Sequence, residues 1–163
     1  MSSYACRICH SSDYELVLDY GSVVPADAFL LSSKAIENEQ RLPLTLVICK
    51  ECRHLQTREV LDPAMLFSEY VWETGIPASI RRYCQEFADA VLVCAGNPEM
   101  PSIFEIASND GTMLKEFKSR GSEVLGVDPA SNIAQKANAA GIPTRVDFFG
   151  EEVAREVLAQ HGE

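Results

Sequence analysis

Two groups of residues in this sequence have types and spacings that could do chemistry. The first is a pair of C-x-x-C knuckles, Cys6-Arg7-Ile8-Cys9 and Cys49-Lys50-Glu51-Cys52. Each knuckle can turn two thiolates to one side of a tight bend. Four thiolates fill the tetrahedral coordination of Zn²⁺ and leave no position for water, so such a site is structural, not catalytic. A redox or fortuitous role is the competing reading. His10 and His54 lie beside the knuckles, and either could replace a cysteine as ligand, although four thiolates already suffice.

The second group is Glu105-Ile106-Ala107-Ser108-Asn109-Asp110-Gly111 with Asp128 downstream. Ile103, Phe104 and Ile106 read as a buried strand, Ser108 to Gly111 as a turn, and Met113, Leu114 and Phe117 as a helix that Gly121 ends. Val124, Leu125 and Val127 make a second strand, closed by Asp128 and Pro129. This is the opening of a parallel α/β sheet, in which ligands bind beyond the carboxyl ends of the strands. An acidic residue there can accept hydrogen bonds from both hydroxyls of a ribose. Nicotinamide dinucleotides and S-adenosylmethionine both suit that layout. A pyrophosphate needs glycine at the first two positions of G-x-G-x-x-G, where this chain has Ala107 and Asn109. S-adenosylmethionine has no phosphate, and the loop chemistry favours it. The plain alternative is a turn with no ligand.

The elements that must position these groups follow in order. Leu16–Tyr20 and Leu44–Ile48 read as strands flanking the long stretch between the knuckles. Pro63 to Phe67 reads as a short helix with proline in its first turn. Ile80, Tyr83, Cys84, Phe87, Val91 and Cys94 form an apolar stripe at helical spacing, expected to pack onto the sheet, with Cys84 and Cys94 as core residues. Glu69 to Gly75, rich in aromatics and hydroxyls, either lines a cleft or packs as a hinge. Ser131 is expected to cap a helix carrying Ile133, Ala134, Ala137 and Ala140, ended by Gly141. A third strand falls within Pro143–Phe149, and a last helix carries Val153, Val157 and Leu158. His161 reads as a surface residue.

Composition bounds the partners. The chain has 163 residues, 47% apolar, with 24 acidic against 14 basic side chains and a net charge of −10. That balance argues against a nucleic-acid partner, which would require clustered Lys and Arg. No apolar run reaches membrane-spanning length, and the N-terminus lacks a signal-peptide core, so a cytoplasmic setting with no membrane partner is expected. In that setting the six cysteines stay reduced.

Taken together, the knuckles and the loop give the chain a specific resemblance. It resembles the N-terminal part of the zinc-containing, S-adenosylmethionine-dependent sugar C-methyltransferase family. The matching words are CRIC, then VLDYG and PADAFL, PLTLVICKEC with HLQT, EIASNDGTMLKEF, VLGVDPASNIA, and GIPT with DFFG. The resemblance implies an α/β chain. A small, mostly-β zinc-binding domain (1–62) and a helical linker (63–100) precede an incomplete class I, Rossmann-like methyltransferase sheet (101–163). It implies zinc on Cys6, Cys9, Cys49 and Cys52. It implies S-adenosylmethionine with its methionine end at Glu105, Ala107, Asn109, Asp110 and Gly111, and its ribose at Asp128. Pro129 and Ala130 would lie beside the adenosine, Asp147 and Phe148 near the adenine, and Tyr70 and Ser79 in the cofactor and sugar cleft. The implied substrate is a nucleotide-linked keto-deoxysugar.

The resemblance names no catalytic residue, because the family's base belongs to a region beyond this sequence. Three strands would leave a sheet edge unpaired, so the chain is expected to be an N-terminal piece of something longer, inactive alone, or to need a partner. A stand-alone zinc and nucleoside-binding module that works by interaction is the competing function.

Overall fold

The computed structural model describes residues 4–26 and 39–162. Asp27 to Leu30 of the PADAFL word lie outside the described residues. The chain divides into two compact units, Met1–Leu66 and Phe67–Glu163.

The first unit is an antiparallel sheet of β1 (Tyr14–Val23), β2 (Leu42–Cys49) and β3 (Leu55–Thr57), in that order. Both expected strands extend beyond their apolar runs. In β2 the alternation is plain: Thr45, Val47 and Cys49 are buried on one face, as the two-residue period of a strand requires. Cys49 ends β2, and the second knuckle is the turn that leads into β3. Strand β1 is irregular, with register shifts between Leu16 and Leu18 and between Asp19 and Ser22. At the second, Asp19 Oδ1 accepts the amide of Gly21 at 2.7 Å.

Helix α1 (Pro63–Phe67) lies where the two units meet along the chain. The second unit continues with α2 (Ala78–Cys94), β4 (Ser102–Ile106), α3 (Thr112–Ser119), β5 (Glu123–Asp128), α4 (Ser131–Ala139), β6 (Thr144–Val146) and α5 (Glu151–His161). The strands form a parallel sheet in the order β4-β5-β6. The expected α/β alternation is therefore observed. Its core joins Leu114 of α3, Ala137 of α4 and Ile142, with Ile103 and Val124 packed against them. Among the described residues, no helix is long and apolar enough to cross a membrane.

Three local expectations are corrected. Cys94 is exposed, while Cys84 is buried with Ala88 one turn further on. Tyr83 and Phe87 also remain largely exposed, because α2 packs chiefly against α3 and not flat on the sheet. Arg120 ties those two helices, donating from Nε to Asp89 at 2.5 Å and from Nη2 to the Gln85 carbonyl at 3.3 Å. Ser131 does not cap α4: Ala130 holds the cap position, and no side chain bonds there as a cap. The amide of Ala130 is satisfied by Asp128 Oδ1 at 2.8 Å.

Gly126 in β5 marks the closest approach in this unit. A Cβ there would overlap Ser108 Oγ and lie 2.8 Å from Ser108 Cβ and 3.1 Å from Leu114 Cδ1. The backbone of β5 thus sits directly beneath the loop that leaves β4. Gly126→Ala should destabilise the chain by about 1–3 kcal/mol, the usual cost of overpacking a tight core. Urea denaturation measures it; an unchanged midpoint would show that the loop after β4 is free to yield.

Candidate functional site

The two knuckles fold alike. In the first, the His10 amide bonds back to the Cys6 carbonyl at 2.9 Å; in the second, the Arg53 amide bonds back to the Cys49 carbonyl at 2.9 Å. The residue after each C-x-x-C, His10 or Arg53, takes a left-handed conformation (φ 62° and 64°). His10 is thus a turn residue. The resulting cluster consists of Cys6, Cys9, Cys49 and Cys52, with no histidine among them.

The four sulfurs lie within 4.8 Å of one another, with Cys6–Cys52 at 3.6 Å and Cys9–Cys49 at 3.5 Å. Four Zn–S bonds of about 2.3 Å at tetrahedral angles put the sulfurs about 3.8 Å apart. The arrangement fits zinc, and all four cysteines are free of disulfides.

Crowding splits the thiol titrations. Cys6 is lowered to about 6, chiefly because the backbone of Cys9 bonds its thiolate. Cys52 is pushed up to about 12: the backbone of His54 favours its thiolate, but desolvation and the three neighbouring sulfurs outweigh that. A dication relieves this competition by accepting all four thiolates together. Gln56, which the spacing of the cysteines gave no reason to notice, braces the first knuckle. It is 5% exposed, accepts the Arg7 amide at 3.2 Å and donates to the Tyr4 hydroxyl.

In the second unit, the loop between β4 and α3 alternates into the left-handed region at Ala107 (φ 57°), Asn109 (φ 53°) and Gly111 (φ 75°). Alanine does not favour that conformation and holds it only where its surroundings insist. Asp128 supplies much of the insistence. Its Oδ2 accepts the Asn109 amide at 2.8 Å while its Oδ1 accepts the Ala130 amide. The carboxylate is buried, and each oxygen retains a second lone pair for another donor.

Glu105 stands behind the same loop. It is half-buried, its Oε2 has no hydrogen-bond partner among the described residues, and it is pushed up to about 7 by burial first and by the charges of Asp110 and Asp128 second. Ser108 Oγ is buried and also without a partner among the described residues. Three carboxylates therefore gather at the carboxyl ends of β4 and β5, an environment that favours a cationic donor.

The other expected site residues fall as follows. Pro129 is half-buried and Ala130 buried, both at the entry to α4. Asp147 follows β6 and accepts Arg145 at 2.7 Å; its amide reaches the Asp128 carbonyl at 3.3 Å. Phe148 is 40% exposed beside Phe149. Ser79 is exposed in the first turn of α2, and Tyr70 is half-buried. Asn109 and Asp110 turn their side chains to the segment ahead of α2. Asn109 Oδ1 accepts the Thr74 amide at 2.9 Å, its Nδ2 donates to the Trp72 carbonyl at 3.0 Å, and Asp110 Oδ2 accepts the Gly75 amide at 2.9 Å. Asn132, for which the sequence offered no signal, holds the same segment at Tyr70.

Residues 6–67 match the family "Putative zinc binding domain". Over 157 residues, 96% of this chain, the sequence is 32% identical to the C-methyltransferase NovU of Streptomyces niveus, and the match covers 37% of that protein. The chain therefore spans little more than a third of the length of this curated relative. Two solved structures of the plantazolicin methyltransferase BpumL are also similar. One, in complex with SAH, is 17% identical with a TM-score of 0.35, over 42% of this chain and 29% of that one. The other, in complex with a monoazolic desmethylPZN analog and SAH, is 18% identical with a TM-score of 0.37, over 44% and 30%. Likenesses that slight carry no argument. The zinc-domain match and the identity along nearly the whole sequence do: residues 6–67 belong to the zinc-binding domain family, and the chain as a whole is similar to part of a C-methyltransferase.

Proposed function

We propose that this chain is the zinc- and cofactor-binding part of an S-adenosylmethionine-dependent C-methyltransferase acting on a nucleotide-linked keto-deoxysugar in the cytoplasm. The observation that carries this reading is the 32% identity to a C-methyltransferase over 157 residues, a length that takes in both units. Residues 1–62 are the zinc domain, 63–100 the helical linker, and 101–163 the first part of the cofactor domain. Cys6, Cys9, Cys49 and Cys52 hold zinc, whose chemistry here is architectural because four thiolates leave it no open position.

When bound, S-adenosylmethionine supplies an electrophilic methyl group on sulfur. This chain's residues bind and orient it. Glu105, with a free acceptor oxygen in acidic surroundings, faces the ammonium of the methionine end, and Ala107 to Gly111 form the loop around that end. Asp128 uses its remaining lone pairs for the ribose hydroxyls. Pro129, Ala130, Asp147 and Phe148 flank the base, and Tyr70 and Ser79 lie toward the cleft. Removing the proton beside the ketone requires a base, and no group described above takes that role.

Calorimetric titration tests the cofactor. S-adenosylhomocysteine should bind, and NAD should bind at least about tenfold more weakly, since Ala107 and Asn109 stand where a pyrophosphate needs bare backbone. Tighter binding of NAD would sink the methyl-donor reading.

Metal analysis of protein purified without added zinc should find one equivalent per chain, lost in Cys49→Ser and kept in Cys84→Ser. Such sites contribute on the order of 10–16 kcal/mol in small zinc peptides. Stripping the metal with a strong chelator should therefore unfold residues 1–66, seen as a loss of amide protection there. Retained protection in metal-free protein would count against zinc as the organiser of this unit.

Glu105 gives a pH signature. Its folded pKa of about 7 lies above its ordinary value of 4.5, so the unfolded chain releases this proton first. Stability is lost as pH rises from the ordinary value to about 7, and the penalty is complete above that. Glu105→Gln removes the penalty. It should stabilise the chain by on the order of 1–3 kcal/mol at pH 8 and much less at pH 5. An equal effect at both pH values would mean that Glu105 ionises freely in the folded state.

A further inference from the structure

Residues 68–76 have no helix or strand of their own, yet side chains of the sheet unit hold their backbone at several points. Besides the bonds from Asn109 and Asp110, Asn132 grips Tyr70 from both sides, accepting its amide at 3.0 Å and donating to its carbonyl at 2.7 Å. The Ser131 amide donates to the Ser68 carbonyl at 3.1 Å, and Lys136 pairs with Glu73 at 2.6 Å. These anchors lie in the loop after β4 and in α4 after β5. The segment is therefore strapped to the carboxyl ends of the two strands beside which a ligand of this sheet would bind. At Gly75 the approach is so close that a Cβ would meet Thr112 Oγ1 at 2.5 Å and Asp110 Oδ2 at 2.9 Å.

We propose that residues 68–76 are a strap forming one wall of the cofactor crevice, and that Asn109 and Asp110 act as positioning residues which latch that strap instead of touching the cofactor. This deepens the reading of the site as an S-adenosylmethionine crevice and rests on it. The reason is which partners these side chains already hold. Both polar atoms of the Asn109 amide are engaged by strap backbone. Asp110 turns Oδ2 to the strap, where it accepts the Gly75 amide, and accepts the Thr112 amide with Oδ1 at 3.1 Å. Among the described residues Glu105 Oε2 and Ser108 Oγ, both buried, have no partner. The loop thus turns its outward side chains to hold the wall, while Ser108 is packed inward against Gly126 of β5. By linkage, a ligand that rests against the strap must in turn steady it.

The sequence has a single tryptophan, and it is Trp72, on the strap, so its fluorescence reports the strap alone. Amide exchange by NMR gives the second readout, since the Tyr70, Thr74 and Gly75 amides are each held by a different latch residue. Asn109→Gly removes that latch without straining the left-handed backbone. It should raise exchange at Thr74 tenfold or more, shift the Trp72 emission and weaken S-adenosylhomocysteine at least fivefold. Asn132→Ala, at a residue given no part in cofactor contact, should do the same through Tyr70. In the unaltered chain S-adenosylhomocysteine should increase protection at Thr74 and Gly75.

Lost affinity in Asn109→Gly with Thr74 still protected would overturn the proposal in favour of direct contact. A loosened strap with unchanged affinity would overturn the strap as a wall of the site. Absence of S-adenosylhomocysteine binding to the unaltered chain would reject the methyl-donor reading together with the strap's part in it. The latch itself would still be judged by exchange at Thr74 and Tyr70.

Discussion

The Asp128 carboxylate holds the second unit in register. It is 6% exposed, and a buried charge is tolerated only where hydrogen bonds replace the water it has lost. Two backbone amides do so, Asn109 from the loop after β4 and Ala130 from the entry to α4. Charge-assisted bonds of this kind are the strong ones. One side chain at the end of the central strand thereby fixes the loop on one side and the helix entry on the other. The rest of the site inherits its geometry from that bridge. Asn109 can reach the strap because its backbone is pinned to Asp128, and Asn132 can reach Tyr70 because α4 starts where Ala130 is held.

The first unit meets the same constraint with opposite means. Four sulfurs drawn to within 4.8 Å cannot all ionise in one another's company. Hydrogen bonds from the knuckle backbones favour thiolate at Cys6 and, less effectively, at Cys52. A metal dication is what turns that frustration into cohesion. In both units the backbone amides of tight turns present positive dipoles to sulfur or carboxylate, in a chain whose net charge is −10.

What could be read beforehand was what depends on periodicity and on short words. Paired cysteines announce a four-sulfur cluster because ligand spacing is local. The apolar runs Leu44–Ile48 and Ile103–Ile106 announce strands because short runs of β-forming residues bounded by turns suit a sheet. Gly121 and Gly141 announce helix ends, and both take positive φ. What escaped depends on partners distant in sequence. Cys94 continues a helical stripe by spacing but is the last residue of α2 and is exposed. Ser131 looks like a cap because serine often is one, yet a carboxylate three residues earlier already holds the preceding amide. Gln56, Asn132 and Arg120 gave no sign at all, since a polar side chain's role is set by which backbone groups the fold leaves for it.

The loop itself shows why residue type and backbone shape must be weighed separately. Glycines in G-x-G-x-x-G do two things: they permit left-handed turns, and they leave room for a pyrophosphate against bare backbone. Here Ala107 and Asn109 adopt the left-handed turns without being glycine, so the first function is kept at the cost of some strain. The second is given up, because a methyl group and an amide side chain occupy that room, and the amide is turned to the strap. A loop that keeps the turn and fills the space keeps its amide dipoles directed while excluding a bulky dianion. A ligand meeting such a loop would have to approach by smaller polar groups, and the charge gathered on Glu105, Asp110 and Asp128 would favour one carrying positive charge.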